Sequence, residues 1–230
     1  MHCNGTMIFR QLHHAPSGAF SYLLGDSSSR EAVVIDPVAE QSELILALLC
    51  DMRLSLSQII ATHGCGGRAP GARRLAELTG SPVRVGCGAT GSQGGRCAWA
   101  SKELADGEII TLGSQPLQII ATPGHTPCGI TCLWRDRVFT GDTLLIGNCG
   151  RLDLPGSEAG QLYDSVVRRL FALPDEMLVF PGHDTSGRTV STIAEERTLN
   201  PRFVGRSRES FVTLAAGVNR PASPFAAFTR

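Results

Sequence analysis

Short apolar runs, each closed by glycine or proline, recur along the chain. FSYLLG (20–25) and AVVIDP (32–37) have the aromatic and β-branched content of strands, the second stopped by Pro37, so a sheet opens the fold. In QSELILALLCDM (41–52), Leu44, Ile45, Leu48 and Leu49 fall at helical spacing and predict a helix, and 69–79, rich in Ala, Arg and Leu, predicts a second. Between them QIIATHG (58–64) reads as a strand that ends on glycine. The second half repeats the theme in LQIIATPGH (117–125), ITCLW (130–134), RVFTGD (137–142) and MLVFPGHD (177–184), with a helix expected over 158–171. Residues 189–213 have helical composition, with Glu195, Glu196 and several arginines assigned to a solvated face. GCGATGSQGGRC (86–97) is a glycine-rich surface loop or the edge of the sheet, and it carries no assigned chemistry. The near-repetition of QIIATHG and QIIATPGH is either the trace of two similar half-folds packed face to face or chance.

Bulk properties narrow the partners. A chain of 230 residues, 42% hydrophobic and 18% charged, can bury one sizeable α/β core or two small ones. Lys+Arg and Asp+Glu both number 21, so no net charge draws the chain to nucleic acid or to a membrane surface. Lys102 is the only lysine, a bias that belongs to genome composition more than to a site. The N-terminal MHCNGTMIFRQLHH lacks the apolar run of a signal peptide, and no stretch approaches a membrane span, so a cytoplasmic location is expected. The eight cysteines, at 3, 50, 65, 87, 97, 128, 132 and 149, show no C-x-x-C spacing and are expected to be mostly reduced, buried and apolar in role.

The candidate chemistry sits where apolar strands end. His63, His125, Asp142 and His183 each follow such a strand in a glycine-bearing turn, the position from which an α/β scaffold presents ligands along one edge. One histidine so placed is ordinarily a hydrogen-bonded structural residue, whereas four at equivalent strand ends point to a site. Two imidazoles and one carboxylate on a single cation form the facial set of non-haem iron(II), which leaves three positions for substrate and oxygen.

At these residues a family resemblance emerges. TPGHT (122–126), FTGDTLL (139–145), CGRLD (149–153), PGHD (181–184) and TVSTIAEERTLNPR (189–202), with FSYLLGD (20–26) and AVVIDP (32–37), resemble the persulfide dioxygenases of the metallo-β-lactamase superfamily over nearly the whole chain. CGRLD combined with EERTLNPR is more specific than the GHT and GD elements, which glyoxalase II enzymes share. The resemblance implies one domain over 1–230, a four-layer αββα sandwich of the metallo-β-lactamase fold, with 1–6 disordered and 203–230 a C-terminal extension. It implies oxidation of glutathione persulfide by dioxygen to sulfite and glutathione at one Fe(II) per chain, zinc being less suited. His63, His125 and Asp142 would be the metal ligands and catalytic centre, with Arg151, Thr126 and Asp184 on the substrate side and His183 and Cys65 around the ligands. A guanidinium suits the role given to Arg151, because it can clamp a carboxylate with two parallel hydrogen bonds. A homodimer is common for such sandwiches.

The chain departs from the superfamily signature H-x-H-x-D-H, for which it has His63-Gly64-Cys65-Gly66-Gly67-Arg68. Gly67 offers no ligand and Arg68 carries a fixed positive charge, which disfavours a second metal and with it a two-zinc hydrolase. Cys65 is either a bystander thiol, a thiolate ligand or a target of the site's own oxygen chemistry. Thr185 stands where the family often has tyrosine. Two other functions stay open on sequence alone: a glyoxalase-II-like zinc thioester hydrolase, and a non-catalytic binder of a thiol metabolite or protein partner.

Overall fold

Successive side chains of a strand point to opposite faces, and here the buried ones sort accordingly into separate cores. Along Ala19–Asp26, Phe20, Tyr22 and Leu24 enter one core and Leu23 the other, and along Glu31–Ile35 the same split separates Val33 and Ile35 from Ala32 and Val34. Both faces are covered, which is why these segments read as continuous apolar runs. The computed structural model describes residues 6–64, 68–87, 100–184 and 186–218.

One six-stranded sheet runs in the order β1 (Met7–His14), β2 (Ala19–Asp26), β3 (Glu31–Ile35), β4 (Ser55–Ala61), β5 (Val83–Gly86) and β6 (Lys102–Leu104), antiparallel up to β3 and parallel after it. The second comprises β7 (Ile109–Leu112), β8 (Gln115–Ala121), β9 (Ile130–Trp134), β10 (Arg137–Gly141) and, beyond the small β11–β12 hairpin (Leu144–Leu145, Asn148–Cys149), β13 (Leu178–Pro181) and β14 (Ser191–Thr192). Its order is β7-β8-β9-β10-β13-β14, with β10 and β13 parallel. Between the sheets lies an aromatic core in which Phe9, Tyr22, Phe139 and Phe180 meet, with ring centroids 4.8–6.3 Å apart. Helices α1 (Ser42–Asp51) and α2 (Arg68–Thr79) cover the outer face of the first sheet through Ile45, Leu49, Ala72 and Leu75. Helices α3 (Ala159–Asp164), α4 (Ile193–Leu199) and α5 (Arg208–Val218) cover the second through Leu162, Ile193 and Phe211. The result is the four-layer αββα sandwich expected from the resemblance. No helix among the described residues is long and apolar enough to cross a membrane.

Several expectations change. The sheet opens earlier, with β1, whose mixed, half-buried MIFRQLHH pattern is that of an edge strand and hides the alternation. The helix over 158–171 starts at Ala159, where the Glu158 carboxylate accepts from the N–H groups of Gly160 and Gln161, and becomes π-helical over Ser165–Leu170. The two QIIAT copies occupy unlike places: the first is β4, parallel to both neighbours, and the second is β8, antiparallel to both. Each sheet holds a parallel pair, β3–β4 and β10–β13, with an aspartate directly after its first strand (Asp36, Asp142) and a histidine two residues after its second (His63, His183). Cys128 and Cys132 are buried as expected, but Cys50 and Cys87 are exposed and Cys149 is half-buried. Burial, with Asp36 nearby, raises the Cys132 thiol, and burial pushes Cys149 up to about 11 despite the opposing charge of Arg202.

The segment expected to be an extension packs as part of the domain through Val218. Phe203 and Phe211 stack 5.3 Å apart against the α3 layer, and Arg208 Nε donates to Asp164 at 3.0 Å. Glu196, assigned to a solvated face, is only 1% exposed. Its Oε2 accepts from Gly147 N at 2.9 Å and from Asn200 Nδ2 at 2.8 Å, while Asn200 Nδ2 also reaches Asn148 O at 3.0 Å. The EERTLN segment thus fixes the β11–β12 turn that leads into Cys149-Gly150-Arg151. Glu196→Ala removes the buried carboxylate to which Gly147 N and Asn200 Nδ2 donate and is expected to lower stability by roughly 1–3 kcal/mol, read from urea unfolding. An unchanged midpoint would place those donors in water instead.

Candidate metal centre

The ends of four strands converge on one edge of the sandwich. His63 lies two residues past β4, His125 four past β8, Asp142 directly after β10 and His183 two past β13. Ligand atoms of His63, His125 and Asp142 all lie within 4.8 Å of one another. Asp142 Oδ2 stands 4.0 Å from His63 Nε2 and 3.8 Å from His125 Nε2, and the two imidazole rings meet edge-on, 5.1 Å apart at 82°. Both rings are about 95% buried, at 5% and 4% exposure.

The hydrogen bonds behind these groups decide which atoms face inward. His125 Nδ1 is 2.9 Å from the Arg151 carbonyl, which can only accept, so Nδ1 carries the proton and Nε2 presents its lone pair. His63 Nδ1 is 3.1 Å from Thr62 Oγ1, whose own proton goes to Asp36 Oδ2 at 2.7 Å, so the hydroxyl accepts from the imidazole and His63 Nε2 likewise faces the centre as a lone pair. Asp36 Oδ1 also takes Thr62 N at 2.8 Å; Asp36 is buried, with φ 51, a left-handed conformation that aspartate tolerates. Asp142 Oδ1 accepts from His183 Nδ1 at 2.7 Å, which orients the carboxylate so that Oδ2 faces the two Nε2 atoms. Two imidazole lone pairs and a carboxylate oxygen are a donor set that fits a divalent cation.

Glycine keeps the surroundings tight. A Cβ at Gly150 would stand 2.1 Å from Asp142 O and 2.7 Å from His125 Nδ1, and one at Gly141, where φ is +52, would meet Thr62 Oγ1 at 2.3 Å. Gly150→Ala is therefore expected to push His125 from its place and to lower metal retention at least about 10-fold, measured by metal content after gel filtration. Wild-type retention would mean that the 149–151 turn gives way without moving the imidazole.

The cluster opens into a cavity of about 980 Å³, whose walls include His14, Arg151, Leu152, Arg202, Arg206 and Leu214. His183 also lines it. Arg151 is exposed, and its Nε and Nη2 already hold the Asp153 carboxylate at 2.6 Å each, which keeps the Asp153 carboxyl below the usual range. The two other residues expected near substrate do not line the cavity. Thr126 is fully buried with Oγ1 3.6 Å from Cys128 Sγ, because the turn before β9 folds it inward. Asp184 spends its carboxylate on Ser186 N, Ser186 Oγ and Arg188 N, which closes its own turn. Cys65 and Thr185 lie outside the described residues. Asp36 and Thr62 were missed as supports; the signal available was an aspartate ending one strand beside a threonine-histidine ending the next.

Residues 100–183, which include His125, Asp142 and His183, match the metallo-beta-lactamase superfamily. The human mitochondrial persulfide dioxygenase ETHE1 is 40% identical over 217 residues, covering 94% of this chain and 83% of the relative. The chain belongs to the ETHE1 family of persulfide dioxygenases. It is therefore an enzyme of that family, within the metallo-β-lactamase superfamily. The crystal structure of ETHE1 from Myxococcus xanthus superposes with a TM-score of 0.86 at 42% identity, covering 94% of this chain and 93% of that one. The crystal structure of TTHA1623 in a di-iron-bound form superposes with a TM-score of 0.68 at 27% identity, covering 84% of this chain and 98% of that one. The departed stretch His63–Arg68 precedes the superfamily match, whereas the ETHE1 likeness runs over nearly the whole chain.

Proposed function

We propose that this ETHE1-family enzyme oxidises glutathione persulfide with dioxygen at a single ferrous ion held by His63, His125 and Asp142. The observation that carries the assignment is the inward-facing donor set: two Nε2 lone pairs and one carboxylate oxygen, with ligand atoms all within 4.8 Å. Among the described residues this is the one such group. Zinc has no redox chemistry and cannot drive oxidation by dioxygen, whereas a facial two-histidine, one-carboxylate set is that of non-haem iron oxygenases. The second metal of the superfamily hydrolases lacks its ligands here, since Cys65, Gly67 and Arg68 stand where the signature has histidine, aspartate and histidine.

Bound ferrous iron supplies the one-electron steps that a singlet persulfide needs to react with triplet dioxygen. Overall, glutathione persulfide, dioxygen and one water give glutathione, sulfite and two protons. The protein's part is binding and orientation. Arg151, steadied by Asp153 through Nε and Nη2, keeps Nη1 for a substrate carboxylate, and the cavity is wide enough for a tripeptide thiol. Leu152 and Leu145 on the cavity wall limit water around the sulfur. His183 holds the Asp142 carboxylate so that one oxygen stays on the metal side.

Elemental analysis of protein purified without added metal or chelator, followed by oxygen uptake with glutathione persulfide, tests this. About one iron per chain and one dioxygen consumed per persulfide are expected. Two zincs per chain, or no bound metal after anaerobic ferrous reconstitution, would overturn the assignment.

A further inference from the structure

Four successive backbone carbonyls lead up to His125, and each is held by a donor from another part of the fold. Arg169 Nη1 donates to Ala121 O at 2.9 Å, Thr143 Oγ1 to Thr122 O at 3.0 Å, Ser165 Oγ to Pro123 O at 2.6 Å and Glu158 N to Gly124 O at 2.8 Å. Ser165 and Arg169 are four residues apart in the π-helical segment Ser165–Leu170, where Phe171 N reaches back five residues to Val166 O at 2.8 Å. Arg169 is itself pinned by Asp106, which also accepts from Ala121 N at 2.8 Å. The loop lies directly on the helix: at Gly124, φ +130, a Cβ would stand 2.2 Å from Leu162 N.

A π-turn has poorer hydrogen-bond geometry than an α-turn, and such turns persist where the extra residue is used. Here the shifted register lets Ser165 and Arg169 face the loop while Val166 and Leu170 stay in the core. Ser165 is 3% exposed, and its hydroxyl bonds a carbonyl two residues before His125. Pro123 has its φ fixed by its ring, so a shift of its carbonyl is taken up at Gly124, the residue next to the imidazole.

We propose that Ser165 is the positioning residue that sets where the His125 imidazole stands, and through it the metal affinity of the centre. It touches neither metal site nor cavity and acts only through the Pro123 carbonyl. The proposal rests on His125 being a metal ligand.

Anaerobic titration with cobalt(II), whose visible bands report ligand geometry, tests it on the wild type, Ser165→Ala, Leu170→Ala and His125→Ala. The Ser165→Ala protein is expected to bind cobalt about 10-fold more weakly with altered bands. Leu170→Ala, in the same segment but in the helix-side core, is expected to lose thermal stability and keep the wild-type affinity and bands. Wild-type affinity and bands in Ser165→Ala, or equal changes in Leu170→Ala, would overturn the proposal. Loss of cobalt in His125→Ala with no change in Ser165→Ala defeats only the positioning role. Unchanged binding in His125→Ala defeats the metal assignment as well.

Discussion

Asp142→Ala is expected to take bound iron from about one per chain to less than about a tenth, and oxygen uptake with it. Asp142 is the only carboxylate in the cluster, and its Oδ2 lies 3.8 and 4.0 Å from the two inward nitrogens. Without it a dication would face two neutral imidazoles and lose the one charge that offsets its own desolvation. Loss of an outer hydrogen-bond partner weakens metal sites roughly 10- to 100-fold, so loss of a ligand should exceed that range. The His183 Nδ1 proton would lose its acceptor too, although that residue is 35% exposed and water can serve it. Metal analysis after dialysis decides the matter, and an Asp142→Ala protein that keeps its iron and its fold would remove Asp142 from the ligand set.

Asp36→Asn should weaken iron binding about 10- to 100-fold while leaving the fold nearly intact. Asp36 accepts both the amide and the hydroxyl proton of Thr62, at 2.8 and 2.7 Å. An asparagine that still accepts the amide proton must point its NH₂ at the Thr62 hydroxyl. The hydroxyl then accepts from asparagine and turns its own proton towards His63 Nδ1, 3.1 Å away. The imidazole answers by moving its proton to Nε2, the atom that faces the centre, and a protonated nitrogen cannot ligate. The change is a reversal of hydrogen-bond direction through two residues with no change in volume. Nitrogen-15 chemical shifts of His63 would reveal the tautomer, and a mutant with wild-type iron affinity and an unprotonated Nε2 would rule the relay out.

The strand ends that bear His63, His125, Asp142 and His183 were legible because their signal is local: an apolar run, a turn, a polar residue. The four do meet at one edge. The layers followed from the same runs, since segments buried on both faces leave room for nothing but covered sheets. What stayed illegible depends on pairing between distant segments. Nothing near Glu196 in sequence says that Gly147 N, 49 residues earlier, will donate to it, so composition alone puts this charge in water. The QIIAT match likens β4 to β8 because identity of letters carries no information about strand direction, whereas β4 is parallel to its neighbours and β8 antiparallel to its own. Thr126 and Asp184 sit beside His125 and His183 in sequence, yet the tight turns around them send one side chain into the core and the other back onto its own backbone. The resemblance points to Arg151 but not to its partner Asp153, two residues on in the same CGRLD motif.

His63 comes from one sheet, and His125 and Asp142 from the other. A cation gripped by all three is thus a rivet through the sandwich, and the free energy of loading it adds to that of keeping the layers shut. A cell short of that cation would then lose more than turnover: unloaded copies would open along the aromatic seam more often and reach proteases sooner. The amount of this protein would track the supply of its metal even with its synthesis unchanged.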